Sequence, residues 1–213
     1  MTNFIIGLKR FIKHILSYWK YQSYPHIDKT SRLNWNSKIL NPDNLYMGEL
    51  TNIDEGAFIM NTRAKFIMKK YSGAAFGLTV ITGGHISVPG KHHKMINDAI
   101  KNQLDINHEE DQDIIVDEDV WIGARSVLLR GVHLGRGCIV GAGSVVRRSV
   151  PPYAMVTGNP AKIVGFRFTP KEMAIHEEAL MPEEERIPLE TLQANYDKYY
   201  VKRIKDIRNI VKL

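Results

Sequence analysis

The chain has 213 residues, 44% of them hydrophobic, with 29 Lys and Arg against 23 Asp and Glu, a net charge of +6 and a pI near 9.3. That length supports one sizeable core, as one domain with appendages, and no apolar run approaches the roughly 18 to 20 residues of a membrane span. The basic balance admits an anionic ligand, an anionic membrane surface or nucleic acid and selects none of them, while the single cysteine, Cys138, excludes an intrachain disulfide and fits a reducing compartment.

Residues 3 to 20 place Phe4, Ile5, Leu8, Phe11, Ile12, Ile15, Leu16 and Trp19 on one helical face, with Lys9, Arg10, Lys13 and Lys20 elsewhere. Such a helix packs on the rest of the protein or a neighbouring subunit, or lies at a membrane surface. No small-x-small cleavage site follows, so a cleaved leader is not expected. From Met47 the chain shows a loose period of six: Met47-Gly48, Ile53-Asp54 and Ile59-Met60, with Thr51 and Ala57 in fifth positions. The phase then drifts through Phe66, Ile67, Phe76, Leu78, Val80 and Ile81. Residues 86 to 113 break the period, are polar and charged, and predict a protruding loop with a short helix near 94 to 103.

From Val116 the period is unbroken through six hexads: VDEDVW, IGARSV, LLRGVH, LGRGCI, VGAGSV, VRRSVP. Every first position is aliphatic, and every fifth is small or β-branched. A helix repeats its apolar residues near every 3.6 positions and a free strand every second. Period six suits a short strand followed by a corner, with the aliphatic residue pointing into a narrow interior. Glycine supplies backbone angles that other residues resist, and stacked coils satisfy each other's backbone groups. The predicted fold is a mainly β chain, a parallel β-helix. After it, Thr169-Pro170-Lys171-Glu172 is a helix start, and a second helix is predicted from Pro188 onward. Its basic tail comes with no nucleic-acid reader motif, so no nucleic-acid partner is expected.

The hexads, the "VWIGA" start, "GAGSVV" and "PPYAMVTGNPAKIV" resemble the hexapeptide-repeat acyltransferases, in particular the maltose/galactoside O-acetyltransferase branch and its polysaccharide-biosynthesis relatives. The resemblance covers about residues 47 to 167. It implies a left-handed β-helix, a homotrimer with sites between subunits, and acetyl-CoA as donor. The expected organisation is a lead-in with its amphipathic helix over 1–40, the β-helix over 41–168 with the loop 86–113, and a helical extension over 169–213.

Charge divides the chain sharply. Between Asp105 and Asp119 stand eight acids and no Lys or Arg; between Val120 and Lys171 stand eight Lys or Arg and no acid. Small-residue coils beside arginines suit the long pantetheine arm and the phosphates of coenzyme A. The resemblance puts Ala124, Ala142, Arg147 and Lys162 at the acetyl-CoA contacts, and Arg148 and Arg167 are further phosphate partners; Arg147 stands where relatives often carry Thr. Acetyl transfer to a hydroxyl needs a base, and histidine titrates near neutrality. Of eight histidines, His85 ends the early coils in "VITGGH" where the loop leaves, which matches the family's catalytic histidine. Asn61 is the best match to the family's acceptor-side asparagine, with Arg63 beside it; the other reading is that Asn61 caps a coil corner. His93, with His92, is assigned to the acceptor rim. No histidine pair has the five-residue spacing of the zinc carbonic anhydrases that share such coils, so no metal is expected.

The implied activity is transfer of acetyl from acetyl-CoA to a sugar or glycan hydroxyl, in the cytoplasm or at the inner face of the membrane through residues 3 to 20. The alternatives are N-acetylation of an amino sugar or antibiotic, and a non-catalytic β-helix scaffold.

Overall fold

A computed structural model describes residues 24–211 throughout, together with 6–8, 11, 12, 15, 16 and 21. Three hexads make one triangular coil. Successive strands therefore fall in turn into three sheets, of seven, five and four strands among the described residues, parallel throughout except for the last strand of the seven. The five-stranded sheet shows the rule: Lys38–Ile39, Phe58–Met60, Thr79–Ile81, Val127–Leu129 and Val145–Val146 stack in register, with Ile39, Ile59, Val80, Leu128 and Val146 one above the other. The amide entering each strand donates to the carbonyl of the fifth-position residue one coil on: Lys38 to Ala57, Phe58 to Leu78, Thr79 to Ser126, Val127 to Ser144, at 2.8–2.9 Å. Each rung thus sets the register of the next, and the backbone is satisfied without a closed barrel. The first-position side chains fill the interior, where Ile53, Ile59, Val80, Val116, Ile122, Leu128, Leu134 and Val140 are buried.

The glycines serve two purposes. At the fourth place of the hexads the backbone is left-handed, with φ of +71° at Gly131, +68° at Gly137 and +69° at Gly143; Asp119 and Arg125 take the same conformation in their hexads at 57° and 56°. That is the corner, and glycine enters it without steric cost. The second-position glycines have another cause. A Cβ on Gly123 would stand 2.5 Å from the Ala142 nitrogen, and one on Gly135 would stand 2.6 Å from the Pro152 nitrogen. They are glycines because the next coil passes too close for a side chain.

The early coils keep phase better than their sequence suggests. From Leu33 the inward residues are Leu33, Ile39, Met47, Ile53, Ile59, Met68, Ala74, Val80 and Val116, and only the steps Ile39–Met47, Ile59–Met68 and Val80–Val116 exceed six. The expected drift is two discrete insertions before Val80, and Ala74 at a first position hid the return to phase. All three insertions, including residues 86–113, leave from the corner between the five- and four-stranded sheets. Strands begin at Arg32–Leu33, ahead of the expected boundary at 41.

The last coil is closed by Lys162–Phe166, antiparallel to Ala154–Thr157. Thr169 then caps the helix Pro170–Leu180 with a reciprocal bond from Glu172. The next helix is Leu189–Tyr199; Tyr200 interrupts it, and a further helix runs Ile204–Val211 in place of one long helix. These helices are tied to the coils at Glu177, which is buried and accepts from Arg136 at 2.6 Å, the Tyr153 hydroxyl at 2.6 Å and the Ile187 amide at 3.0 Å. The helix expected over residues 3–20 lies largely outside the described residues; Ile6, Leu8, Phe11, Ile12, Ile15 and Leu16 are described, helical and exposed.

Candidate active site

The three edges of the prism sort the residues singled out from sequence. The edge between the five- and four-stranded sheets, here the exit corner, carries Asn61, Arg63, His85, Arg147 and Arg148. The edge between the seven- and five-stranded sheets carries Ala124 and Ala142. Lys162 joins it at the top, where the Ala161 amide donates to the Val145 carbonyl and the Val145 amide to the Gly158 carbonyl. Arg167 lies on the third edge. One chain therefore gathers the acid–base candidates on one edge and the small-residue coils on another.

His85 is the second residue past the root of the excursion. That root is a short antiparallel pairing: Gly83 bridges Asp111, the Gly84 amide donates to the Glu110 carbonyl at 2.6 Å, and the Gln112 amide donates to the Thr82 carbonyl at 2.9 Å. The His85 side chain is exposed. Between excursion and coil lie two open cavities, one of about 500 Å³ lined by Arg63, Ala64, Asn102, His108, Asp111 and Asp113, and one of about 680 Å³ lined by Glu109, Glu110, Gln112, Leu129, Arg130 and Arg147. His85 lines neither.

The acid run is not a solvated face. Asp117 meets Lys69 at 2.8 Å and His133 at 2.7 Å, Glu118 meets Arg136 at 3.1 Å, Asp119 meets Arg167 at 2.6 Å, Glu110 meets Arg130 at 2.8 Å, and Asp111 meets Lys101 at 2.6 Å. The hydrogen bond that Lys69 donates to Asp117 holds its ammonium above the usual range, against the opposing cost of burial. These pairs commit Lys69, Lys101, Arg130, Arg136 and Arg167, while Arg125 is exposed over the Phe76 ring at 5.3 Å. Among the described residues, Arg147, Arg148 and Lys162 are exposed and make no ion pair. They remain available to an anion. Arg167 does not: it is paired with Asp119 and lies over the Phe168 ring at 4.9 Å, so its expected phosphate role does not fit this geometry.

Asn61 follows the second of its two readings. It is 0% exposed, its Oδ1 accepts from the Asn41 amide at 3.0 Å, and its Nδ2 donates to the Asn41 carbonyl at 2.7 Å. It is the corner cap, with no face open to an acceptor. Arg63 faces the excursion, donating to Asn102 at 2.6 Å and pairing with Asp98 at 3.1 Å. His93 is exposed on the short turn His93–Met95, its Nε2 3.5 Å from the Ser87 hydroxyl. The helix expected near 94 to 103 is Asp98–Leu104. Burial pushes the Cys138 thiol well above its ordinary range, which removes it as a nucleophile. No group of three or more His, Cys, Asp or Glu side chains is gathered for a metal among the described residues.

Sequence reasoning missed Lys101 and Asp111, which lie where the excursion meets the coil. A buried lysine in a polar loop has no sequence signature of its own, and Asp98 and Asp105 stand nearer to Lys101 in sequence than its partner Asp111.

Comparison with known proteins bears on this frame. Residues 113–148 match the family model described as bacterial transferase hexapeptide (six repeats). A chloramphenicol acetyltransferase of Klebsiella aerogenes is 41% identical over 61 residues, 29% of each chain. A 2,3,4,5-tetrahydropyridine-2,6-dicarboxylate N-acetyltransferase of Staphylococcus aureus is 49% identical over 51 residues, 24% of this chain and 21% of that one. The matched segments thus span less than a third of these curated relatives. Among solved structures, a hexapeptide-repeat acetyltransferase of Vibrio cholerae complexed with acetyl coenzyme A aligns with a TM-score of 0.56 at 21% identity, over 69% of this chain and 73% of that one. An N-acyltransferase of Bacillus cereus, in complex with dTDP and coenzyme A, aligns with 0.58 at 19% identity, over 76% and 94%. The resemblance to the hexapeptide-repeat transferases therefore holds in repeat and in architecture: the chain is a left-handed parallel β-helix built from hexapeptide repeats.

Proposed function

We propose that the protein is an acetyltransferase that moves an acetyl group from acetyl-CoA to a hydroxyl of a sugar or glycan, with His85 as general base. The observation that carries the reading is the residual charge: once the ion pairs are formed, Arg125, Arg147, Arg148 and Lys162 remain as exposed late-coil cations without an ion pair. Lys162 stands on the edge of Ala124 and Ala142, where a pantetheine arm can approach the backbone, and Arg147 and Arg148 stand on the exit corner. The acceptor oxygen attacks the thioester carbonyl carbon as its proton passes to the neutral His85 imidazole. The carbon–sulfur bond then breaks, and the proton leaves with the coenzyme A sulfur. Each charge that forms is neutralised by one proton transfer, which is the work of a general base.

The reading includes a homotrimer, because His85 and the small-residue coils lie on different edges of one chain. Support comes from the outward face of the five-stranded sheet between those edges. Phe58, Met60, Ile81, Val127, Leu129 and Val145 lie there, each only partly covered within one chain. In a trimer, an edge of one subunit meets another edge of its neighbour, and the site is completed between them. N-acetylation is the second reading, favoured by the N-acetyltransferase among the matched relatives. Contact of residues 3 to 20 with the cytoplasmic membrane surface belongs to the same proposal, supported by the exposed apolar residues Phe11, Ile12 and Leu16.

The test is thiol release from acetyl-CoA with maltose, glucosamine and chloramphenicol as acceptors, with mass spectrometry of the product. Release with a hydroxyl product is expected. An amide product replaces the O-acetyl reading with the N-acetyl one, and no release above the acceptor-free rate with a wider sugar panel supports the scaffold.

A further inference from the structure

The excursion is not held to the coils by apolar packing. Its large apolar side chains Met95, Leu104 and Ile106 are exposed at 54–77%. What holds it is charge. Arg63 from the coil corner reaches Asp98 and Asn102 on the helix Asp98–Leu104 and stands 3.6 Å from Asp111. Lys101, on the same helix, points the other way. It is buried at 8% exposure, its ammonium is 2.6 Å from the Asp111 carboxylate, and it donates to the Gly84 carbonyl at 2.8 Å. The Gly84 amide is already committed to the Glu110 carbonyl.

Both backbone groups of the residue before His85 are therefore held, one by the returning strand and one by Lys101. This matters because that residue and the one before it are glycines. Two consecutive glycines have the widest backbone freedom available to a chain, and a side chain carried beyond them samples many positions unless the peptide planes are fixed. A Cβ on Gly84 would stand 2.5 Å from a Glu110 carboxylate oxygen and 2.6 Å from an Arg130 guanidinium nitrogen, so a side chain there would displace the ends of that ion pair. The two glycines carry the freedom that Lys101 removes. Asp105, itself buried, orders the return of the chain by accepting from the Glu109 and Glu110 amides at 2.8 and 3.2 Å.

We propose that Lys101 is a positioning residue: held by Asp111, its ammonium grips the Gly84 carbonyl and so fixes the backbone that presents His85. The inference rests on His85 being the general base. It makes the excursion a strap whose docking sets the aim of the base, and it assigns no contact between Lys101 and substrate.

The test uses the full chain as wild type, Lys101→Met, Lys101→Arg and His85→Ala. Amide hydrogen exchange is followed over residues 82–88, and kcat and KM for acetyl-CoA are measured with maltose or chloramphenicol. Lys101→Met is expected to speed exchange in that segment roughly tenfold or more by releasing a local opening. It should lower kcat roughly 10- to 100-fold through misplacement of the base, with KM for acetyl-CoA within about twofold, since the thioester donor is held elsewhere. Lys101→Arg should recover part of both. Unchanged exchange, or faster exchange with unchanged kcat, overturns the proposal. If Lys101→Met does not fold, Asp111→Asn is held to the same criteria. If His85→Ala retains turnover, the base is misassigned, and the exchange data still decide whether Lys101 holds the strap.

Discussion

The coils from Ile114 to Val150 and the strap from residue 86 to 113 are held by opposite means. In the coils each rung sets the register of the next, and first-position side chains interlock in a dry interior. In the strap the contacts are ion pairs and backbone bonds to the coil corner, and Met95, Leu104 and Ile106 are exposed. The difference shows how such a chain divides its work. A repeating solenoid cannot easily place a unique group, because every coil has the same corner in the same place. Uniqueness enters where the repeat is broken, and all the breaks share the exit corner, with His85 at the root of the longest. Charge suits the strap because it orients a backbone without adding a second core.

That contrast can be broken from the coil side first. Leu128 is fully buried, and Leu128→Ala should cost about 2 to 5 kcal/mol of unfolding free energy, the transfer term plus the cavity left in a narrow interior that cannot collapse. Denaturant unfolding measures it. A loss below about 1 kcal/mol means that the coil interior is not the dry, close-packed column described here.

The coil side was also the more legible from sequence. First and fifth hexad positions were readable because aliphatic and small residues recur without exception from Val116. The fourth-position corner was hidden, since Asp119 and Arg125 share the left-handed backbone of Gly131, Gly137 and Gly143, and no side-chain pattern marks them. The second-position glycines invited a conformational explanation, whereas Gly123 and Gly135 answer to the next coil's backbone. At the exit corner, the position of His85 beside the departing loop was legible from sequence. Asn61 and Arg167 were harder to read, because an amide and a guanidinium advertise binding equally well whether their partner is a ligand or the chain itself. Here Asn41 and Asp119 had already taken them. Lys101 was invisible because burial of a lysine depends on a partner, Asp111, that the sequence does not pair with it.

A smaller effect sharpens the comparison where coil and strap face each other. Arg147 lines the cavity shared with Glu109, Glu110 and Gln112, yet makes no ion pair there. If its charge is reserved for coenzyme A phosphates, Arg147→Ala with Arg148→Ala should raise KM for acetyl-CoA roughly tenfold, as expected for the loss of charge-assisted hydrogen bonds to phosphate. KM for the acceptor should change little. Saturation kinetics at physiological salt measure both, and an effect confined to the acceptor would move Arg147 to the other substrate.

The most direct measurement is the turnover of His85→Ala beside wild type and His93→Ala, with bound acetyl-CoA quantified in each. General base catalysis contributes roughly 10² to 10⁴ in rate, about 3 to 5 kcal/mol of barrier. His85→Ala should therefore lose at least about 10² in kcat while acetyl-CoA binding stays near normal, and His93→Ala should lose much less. Near-normal turnover in His85→Ala, with the loss appearing in His93→Ala, would contradict the account by moving the base from the root of the strap into the strap itself.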